Sequence, residues 1–434
     1  MAGKAIGYLL AAGEQARRRS ANAEAIAHLT QGLELIKTLP ETSERALREL
    51  ETLVSLGVPL VLTRGHAASE VETTYARALE LSAQVGDATQ RFQILLGLRR
   101  FYLHRGKLGA AYELGEQLLA QALNLGNVYI SRARLLHGEI LYRMGEFPKA
   151  QEHYAHAIAA FEPKPYPSDA HLFGNDSLIL CQVLQGLTLW QLGYPDRALQ
   201  VGLEGVSRAQ RLSHPFTLVC GLFFTAVLHD LRREPEAAQE KREFLLPICQ
   251  DRGFALFSAW GKILLGRALV EQNKIEEGIT QIQQGTTAWQ DLGGKLLLPN
   301  FLFYLADAHG RAGRVEEGLH LLDQALGIEE ETGERTFEAE LHRLKGELFL
   351  AQGDGDAEAE ACFQRALQVA HSQSARSWEL RAAVSLGRLW QKQAKIAQAS
   401  ALLNEVYHRF TEGFDTPDLQ EARALLEELN FVVF

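Results

Sequence analysis

Two histidines, His153 and His156, lie three residues apart and therefore on one face of a helix. Imidazoles at this spacing occur in zinc sites, but such a site needs further ligands. No carboxylate or third histidine stands within a helical turn on that face. We therefore expect a solvated or groove-facing pair of side chains and no metal site.

An acidic stretch, Asp354, Asp356, Glu358 and Glu360, alternates carboxylates with other residues and faintly resembles a calcium-binding loop. Such a loop requires a glycine at its sixth position and a distal glutamate that binds with both oxygens. The sixth position here is Ala359, and the distal glutamate is absent. Because carboxylates stabilise the positive end of a helix dipole, we expect this stretch to begin a helix.

Three Gly-Lys pairs, beginning at Gly106, Gly261 and Gly294, resemble part of a phosphate-binding loop. That loop needs the pattern GxxxxGK[ST], because backbone amides and the lysine hold the phosphates together. All three pairs lack the leading glycine and the hydroxyl residue. The 14 histidines also form no recognisable Ser/His/Asp or Cys/His arrangement. We therefore expect no nucleotide site, no cofactor and no enzymatic activity.

The charge balance bears on the class of partner. The chain has 44 basic and 54 acidic residues and a pI near 5.8. This argues against nucleic acid as the main partner, although a local basic stripe stays possible on composition alone. Helix-forming residues dominate, and we find no convincing alternation of the kind that predicts strands.

Several features bear on the compartment. The longest apolar run, residues 216–228, is about two-thirds of the ~20 residues that a membrane span needs. Residues 4–13 superficially resemble a signal peptide, but Glu14 and the arginines at 17–19 follow in place of a cleavage site, so we predict the first repeat helix there. Four cysteines without CxxC spacing predict buried free thiols: Cys181, Cys220, Cys249 and Cys362. We expect a cytoplasmic protein with no membrane contact.

The elements that position these residues follow from a repeat. Small residues recur at intervals of 39, 48, 40, 40, 40, 41 and 40, and we call their places the anchor positions. They are Ala111, Ala150, Ala198, Ala238, Gly278, Gly318, Ala359 and Ala399. Counting back, Val71 stands 40 residues before the first anchor and Ala25 stands 46 before that. A repeat of this length predicts a stack of helical pairs.

Further small residues accompany the anchors. Seven positions later, two helical turns on, stand Ala157, Gly205, Gly285, Ala325 and Ala366. Two small residues on one face let a neighbouring helix approach closely. Five positions before an anchor stand Gly106, Gly145, Gly193 and Gly313, where glycine lets the chain turn between two helices.

We predict one all-α domain over residues 1–434, a right-handed α-solenoid of about ten tetratricopeptide-like helical pairs with a period of about 40 residues. Repeats 1–4 occupy 1–161 and repeats 5–10 occupy 177–413. The irregular intervals place one insertion at 39–45 and another at 162–176, where three prolines bar a helix. Residues 414–434 form a capping helix with Thr416 as N-cap and Pro417 as first residue, followed by an apolar tail at 431–434.

Particular stretches resemble one family, the C-terminal tetratricopeptide-like region of bacterial proteins that join a class III adenylate/guanylate cyclase domain to an AAA-type ATPase. These stretches are 9–36, 192–199, 214–238, 338–352 (EAELHRLKGELFLAQ), 359–370 (AEACFQRALQVA), 377–391 (SWELRAAVSLGRLWQ) and 410–429.

The resemblance covers essentially the whole chain and implies a sensor region. In that family the cyclase and ATPase modules lie upstream, and none of their residues has a counterpart here. Met1 leads directly into a repeat helix, so we expect either an excised fragment or a stand-alone gene that kept the sensor portion.

The first helix of each pair lines the concave surface of a solenoid, which usually carries its binding site. Tetratricopeptide geometry places the inward positions roughly 7 to 18 residues before each anchor. Our candidate groove residues are Arg100, Arg132, Tyr142, Arg143, Trp190, Asp230, Trp260, Arg267, Asp307, Arg311, Arg343, Glu347 and Arg388. Further inward positions are His104, Glu139, Phe223, Asn300, Phe303, Arg381 and Lys392. The alternative, that Trp190, Trp260 and Phe223 are core residues in a register shifted by one, stays open.

We expect a non-enzymatic regulatory module that binds a protein or peptide in this groove and acts on an attached or separate signalling module. The alternative is a small-molecule sensor, distantly resembling the effector-binding region of ATP-dependent bacterial transcription activators. That alternative requires an enclosed pocket near the insertion at 162–176. Self-association through exposed repeat faces or the apolar tail is a third possibility.

Overall fold

The computed structural model describes residues 2–19, 21–161, 168–353 and 355–431. Within these ranges it contains 22 helices and no strand. The helices are α1 (Ala2–Arg18), α2 (Asn22–Lys37), α3 (Ser43–Arg64), α4 (Ser69–Val85), α5 (Ala88–His104), α6 (Leu108–Ala122), α7 (Asn127–Arg143), α8 (Phe147–Ala159), α9 (Ala170–Phe173), α10 (Ser177–Gln191), α11 (Pro195–Leu212), α12 (Pro215–Leu231), α13 (Pro235–Arg252), α14 (Ala255–Glu271), α15 (Ile275–Asp291), α16 (Leu298–Arg311), α17 (Val315–Thr332), α18 (Glu338–Gln352), α19 (Asp356–Ser372), α20 (Arg376–Lys392), α21 (Ile396–Tyr407) and α22 (Pro417–Phe431).

Consecutive helices pack in pairs. The described helices form ten pairs, α1/α2 to α7/α8 and α10/α11 to α20/α21, with the short α9 between the fourth and fifth pairs and α22 after the tenth. Each pair packs mainly on its neighbours along the chain. The predicted all-α solenoid of tetratricopeptide-like pairs is confirmed.

The anchor positions lie on the second helix of each pair, and all of them are buried. The closest approach involves Gly278 on α15 and Gly266 on α14. A Cβ atom added at either glycine would lie 2.6 Å from the carbonyl oxygen of the other. Small anchors are therefore required because the two backbones of a pair nearly touch.

Glycines on the first helices accept side chains from the second helices. The ring of Tyr154 lies against Gly138, and the ring of Phe363 lies against Gly346. Both rings belong to residues four positions after an anchor. In these two pairs, an aromatic residue one helical turn after the anchor was the sequence signal for the contact, and it was missed.

The turns between paired helices adopt a left-handed conformation. Gly106, Gly145, Gly193 and Gly313 have φ between 73° and 85°, as their place five residues before an anchor predicted. Arg233, Asn273 and Ala394 hold the same position in other pairs with φ of 60–64°. The turn geometry is thus set by the repeat even where no glycine is present.

The two predicted insertions are partly helical. Thr42 caps α3, so that Ser43 to Arg45 begin this 22-residue helix and do not belong to a loop. In the second insertion, residues 162–167 lie outside the described residues. Residues 170–173 form α9, which ends at Gly174 in a left-handed conformation, and the Asp176 carboxylate caps α10.

Both ends of the described chain follow the prediction. Residues 2–18 form the first helix of the first pair, and α22 begins at Pro417. The tail residues 432–434 lie outside the described residues. In the part of the chain that the structure describes, no helix is long and apolar enough to cross a membrane. The four cysteines are free thiols, and three of them are buried.

Successive turns of the superhelix touch each other. The His104 carbonyl accepts hydrogen bonds from the amides of Lys295 and Leu296, at 2.8 and 3.2 Å. One pair further along, the Arg143 carbonyl accepts from the Arg335 amide at 2.7 Å. These partners are about 190 residues apart in the sequence, which is between four and five repeats. Each turn of the superhelix therefore packs directly on the next.

The inter-turn contacts continue toward the C-terminus. The Ser377 hydroxyl donates to the Trp190 carbonyl, and the indoles of Trp190 and Trp378 meet edge to face at 4.7 Å. Arg197 and Glu412, 215 residues apart, form an ion pair at 2.9 Å. The axis of the middle of the solenoid is consequently filled by side chains.

Candidate functional site

Six of the thirteen candidate groove residues are buried in the filled axis, so their predicted place on an open surface is wrong. They are Arg132, Tyr142, Arg143, Trp190, Asp230 and Trp260. All lie on first helices, as predicted. The physical reason for the correction is that other parts of the chain cover them. An adjacent superhelical turn contacts Tyr142, Arg143, Trp190 and Trp260, whereas α9 and α10 contact Arg132, and the paired helix α13 contacts Asp230. The burial of Trp190, Trp260 and Phe223 agrees with the alternative reading of them as core residues.

The buried polar members of this group have partners within the protein. Arg132 donates to the Ser177 hydroxyl at 3.1 Å and stacks over the Phe173 ring at 5.0 Å. Asp230 pairs with Arg242 inside the stack. A buried charge without a partner destabilises the folded protein. These contacts therefore indicate that the residues serve the stability of the fold.

Six other candidates meet in a cleft of about 420 Å³ toward the C-terminal end. They are Arg267, Asp307, Arg311, Arg343, Glu347 and Arg388. We call this the charged cleft. Its lining also contains Arg233, Val270, Glu271, Phe303, Tyr304, Glu340, Leu380, Arg381, Val384, Ser385, Asp418 and Glu421. That these residues bind a partner stays a prediction.

The repeat itself builds the row of charges in the charged cleft. Arg267, Asp307 and Glu347 are each 40 residues apart and stand at equivalent places on α14, α16 and α18. Successive first helices lie side by side, so equivalent positions form one row across them. The opposite wall comes from α22 and from the turn at Arg233.

The floor of the charged cleft is a network of half-buried ion pairs. Arg343 contacts Glu340 at 2.8 Å and Glu347 at 3.3 Å. Arg381 contacts Asp418 at 2.8 Å and lies over the indoles of Trp190 and Trp378. This network joins four helices, α10, α18, α20 and α22.

Electrostatic interactions keep the acidic and basic groups at the floor of the charged cleft ionised. Burial raises the pKa of Glu340, but the charges of Arg343 and Arg381 lower it by more, so its pKa lies below the usual range. Burial lowers the pKa of Arg343, but Glu340 and Glu347 raise it by more. Both groups are therefore charged at neutral pH.

The rim of the charged cleft is more open. Arg311 is 50% exposed and pairs with Asp307 at 3.0 Å, while Arg388 is 46% exposed and pairs with Glu421 at 3.2 Å. Exposed ion pairs contribute only about 0–1 kcal/mol. A ligand carboxylate could therefore replace a protein carboxylate at these guanidinium groups with little loss.

This arrangement suits a ligand with several charges of both signs. Each rim arginine that changes its partner releases a carboxylate, which can then accept a ligand cation. A peptide segment with acidic and basic side chains satisfies both groups, whereas a single small anion leaves carboxylates unpaired.

Several members of the charged cleft were missed from the sequence. Arg233 reaches the cleft from the preceding superhelical turn and contacts Glu421 at 2.8 Å. No sequence spacing indicates a contact across 188 residues. Asp418 and Glu421 reach the cleft from α22, which has no counterpart in the 40-residue repeat.

A second cleft, of about 340 Å³, lies beside the described part of the insertion. We call it the apolar cleft. It is lined by Arg17, Val54, Ser55, Val58, Val61, Leu62, His66, Tyr75, Gln93, Leu96, Gly97, Arg100, His171, Leu172, Phe173, Gly174 and Phe216. It contains one candidate groove residue, Arg100. The remaining lining was missed, although the apolar run 58–62 on a helix that already has a buried face was a usable signal.

The histidine pair and the acidic stretch are accounted for by local packing. His153 lies against the His137 ring at 4.8 Å, and His156 contacts Arg134 at 3.3 Å. Asp356 and Glu358 stand in the first turn of α19, as predicted, while Asp354 lies outside the described residues. Among the described residues, no group of three or more metal-ligating side chains occurs.

Comparisons with known proteins place the fold. No family model matches the chain. An uncharacterized protein of Rhizobium meliloti strain 1021 is 23% identical over 391 residues, which cover 89% of this chain and 38% of that protein. The chain thus spans 38% of the length of the curated relative it matches.

Among solved structures, a Rap protein complexed with Competence and Sporulation Factor has a TM-score of 0.57 at 10% identity, covering 86% of this chain and 99% of that one. A Signal Transduction ATPase with Numerous Domains protein with a tetratricopeptide repeat sensor, from Pyrococcus horikoshii, has a TM-score of 0.45 at 14% identity, covering 92% of this chain and 56% of that one. The likeness to the Rap protein supports the tetratricopeptide-like fold.

Proposed function

We propose that this chain is a regulatory protein-interaction module that binds a charged peptide segment of its partner in the charged cleft. The observation that carries the proposal is the cluster of arginines and carboxylates on α14, α16, α18 and α20 that lines the charged cleft, with an open rim at Arg311 and Arg388. Because the pairs of Arg311 and Arg388 at the rim are exposed, these two guanidinium groups are available for recognition.

The fold supports a binding role. The Rap protein of similar fold was solved in complex with Competence and Sporulation Factor. In the described middle repeats, contacts between turns occupy the axis, so we place the partner segment at the C-terminal repeats.

A displayed library of random 12-residue peptides, selected on the immobilised chain, tests the proposal. We expect enriched peptides that carry both acidic and basic residues and bind with micromolar Kd. Replacing both rim arginines, R311E and R388E, should weaken these peptides at least tenfold, because each substitution places a carboxylate where the ligand carboxylate binds.

Arg423 provides the matched control. It is an exposed arginine on α22 outside the cleft lining, paired with Glu427 at 2.9 Å. R423E should leave peptide affinity within twofold of the wild type. A library that yields no charged peptide, or peptides that bind the double variant as well as the wild type, would refute the proposal.

We further propose that the partner module belongs to a signalling protein of the cyclase and ATPase type that the sequence resembles. The support is that resemblance, together with a relative more than twice as long as this chain. Reading the coding sequence upstream of the chain for a GxxxxGK[ST] motif tests this proposal directly. An upstream region without a nucleotide-binding motif, and no such protein encoded nearby, would count against it.

A further inference from the structure

Three helices contribute apolar side chains to the wall of the apolar cleft. Val58 and Val61 come from α3, Leu96 comes from α5, and Leu172 comes from α9. Its volume of about 340 Å³ lies within the range of small-molecule sites. The charged cleft and the apolar cleft share no lining residue, so this site is separate from the one proposed above.

The floor of the apolar cleft is shaped by a tyrosine. The Tyr75 ring lies between Gly57 of α3 and Gly97 of α5, where a Cβ atom on either glycine would lie 2.2–2.3 Å from the phenol group. These two glycines bring the ring to the bottom of the cleft between the helices. The floor is therefore fixed by packing and does not depend on a ligand for its shape.

Arg100 is the polar group that marks the site. Its guanidinium donates to the Phe173 carbonyl at 3.3 Å and to the Asn175 side chain at 3.5 Å, both at the long limit of a hydrogen bond. Among the described residues, no carboxylate lies within 4.0 Å of it. Arg17, the other guanidinium at the cleft, pairs with Glu14 at 2.7 Å. Arg100 is thus a half-buried cation without a counter-ion in this part of the chain.

A second polar group beside the cleft has no partner. His66 is more than nine-tenths buried, and its Nδ1 atom makes no hydrogen bond to the described protein. Its ring stacks on His104 at 4.4 Å. A buried polar atom without a partner costs free energy unless a ligand or water satisfies it.

We propose that the apolar cleft binds a small organic acid with one carboxylate and an aliphatic or aromatic body. The carboxylate pairs with Arg100, and the body lies against Val58, Val61 and Leu172. Charge complementarity selects this class, because a neutral apolar molecule leaves Arg100 without a counter-ion and a dianion brings one charge too many.

Binding of such an acid would also act on α9. Arg100 holds the end of this helix through the Phe173 carbonyl. A carboxylate that pairs with Arg100 competes for those N–H groups, so occupancy changes the exposure of the amides at 170–174. Ligand binding would therefore be detectable as a change at α9, which binding to a cavity without this contact would not produce.

Calorimetric titration of the full chain with decanoate and with indole-3-propionate tests the proposal, each beside its neutral analogue, 1-decanol or indole-3-propionamide. At least one acid should bind with micromolar Kd and at least tenfold tighter than its analogue. R100Q should reduce this preference to less than threefold. V58W, which fills the cleft, should weaken acid and neutral analogue alike by at least tenfold. Hydrogen exchange at 170–174 should change with the acid only.

R423Q, a change of the same kind outside both clefts, should bind the acid like the wild type. If R100Q does not fold by circular dichroism, V58W decides the outcome. Acids that bind no tighter than their neutral analogues, or an acid preference that persists in R100Q, would overturn the proposal. Peptides selected for the charged cleft should bind R100Q unchanged, so failure here is distinguishable from failure of the proposed function.

Discussion

The apolar cleft and the charged cleft are built from the same repeat, yet their chemistry is opposite. In the charged cleft, each arginine described above has a carboxylate partner, and the pairs form a network across four helices. In the apolar cleft, valines and leucines lie beside two arginines, of which Arg17 pairs with Glu14 and Arg100 has no carboxylate partner among the described residues. Within the described part of the chain, the ion pairs of the charged cleft are complete, and Arg100 of the apolar cleft has no counter-ion.

The difference shows what decides where a tightly coiled solenoid can bind. Between the two clefts the superhelical turns touch, and the inward side chains of α7, α10, α12 and α14 form a core. Each of the two clefts lies beside an additional element, α9 for the apolar cleft and α22 for the charged cleft. The position of a residue in the repeat therefore predicts whether its side chain faces inward. Contact between superhelical turns then decides whether that side chain is exposed to solvent.

Lowering the pH should produce the largest difference in stability between the region around the apolar cleft and the region around the charged cleft. Burial lowers the pKa of His66 well below its ordinary value, and lowers that of His104 to about 3. Below the unfolded pKa of about 6.5 the unfolded chain binds more protons, so stability falls as pH drops. At pH 5 the loss is about 2 kcal/mol for His104, and His66 adds a loss of the same sign. The lowered pKa values of Glu340 and Glu421 preserve their contribution until the pH falls below about 4.3.

Hydrogen exchange at pH 7.5 and 5.0, corrected for intrinsic rates, measures this contrast. Protection of α3 and α5 should fall at pH 5, whereas α20 should keep its protection. The loss in α18 should be smaller than in α5, because burial lowers the pKa of its half-buried His342 as well. H104Q should remove part of the change, and the exposed control H371Q should not. An equal loss of protection in both regions would contradict the contrast.

The floor and the rim of the charged cleft should differ in stability. R381Q removes the ion pair with Asp418, the hydrogen bond to the Leu231 carbonyl and the stacking over Trp190, and should cost about 2–3 kcal/mol because all three contacts are partly buried. R388Q breaks an exposed pair and should cost less than about 1 kcal/mol. Urea unfolding of both variants measures the difference. Similar midpoints would show that inter-turn contacts do not carry the fold.

The close helix contact below the charged cleft offers a sharper test of the repeat. In G266A the new Cβ atom would meet the Gly278 carbonyl at 2.6 Å, so the pair must move apart, at a cost of roughly 1–3 kcal/mol. Gly327 on α17 has nothing within 4 Å, and G327A should stabilise the chain by about 0.5–1 kcal/mol through helix propensity. Thermal melts of the two variants should shift in opposite directions, and a shift in the same direction would count against close packing.

The smallest effect concerns the turns. Ala394 adopts φ of 60°, which suits glycine, so A394G should stabilise the last pair by about 0.5–1 kcal/mol. A401G, on the exposed face of α21, should destabilise the chain by about the same amount. Melting temperatures of the two variants check this, and a lower value for A394G would contradict the assigned turn.

Part of the candidate site followed from the sequence, and part did not. The 40-residue spacing identified Arg267, Asp307 and Glu347 as one row, because equivalent positions on stacked helices must align. The same reasoning placed Trp190 and Trp260 in a groove, but the next turn buries them. Arg233 was missed because its contacts join distant parts of the chain. The lining residues on α3 were missed because they face an insertion that has no counterpart in the repeat.

The sequence alone determined the helical pairs, their number, their turns and the inward side of each first helix, since these depend on spacing within about forty residues. Only the tertiary structure decided which inward side chains stay open. That choice depends on the pitch of the superhelix, which brings residues about 190 positions apart into contact. Small rotations at every pair add up to this pitch, and no local pattern of residues encodes their sum.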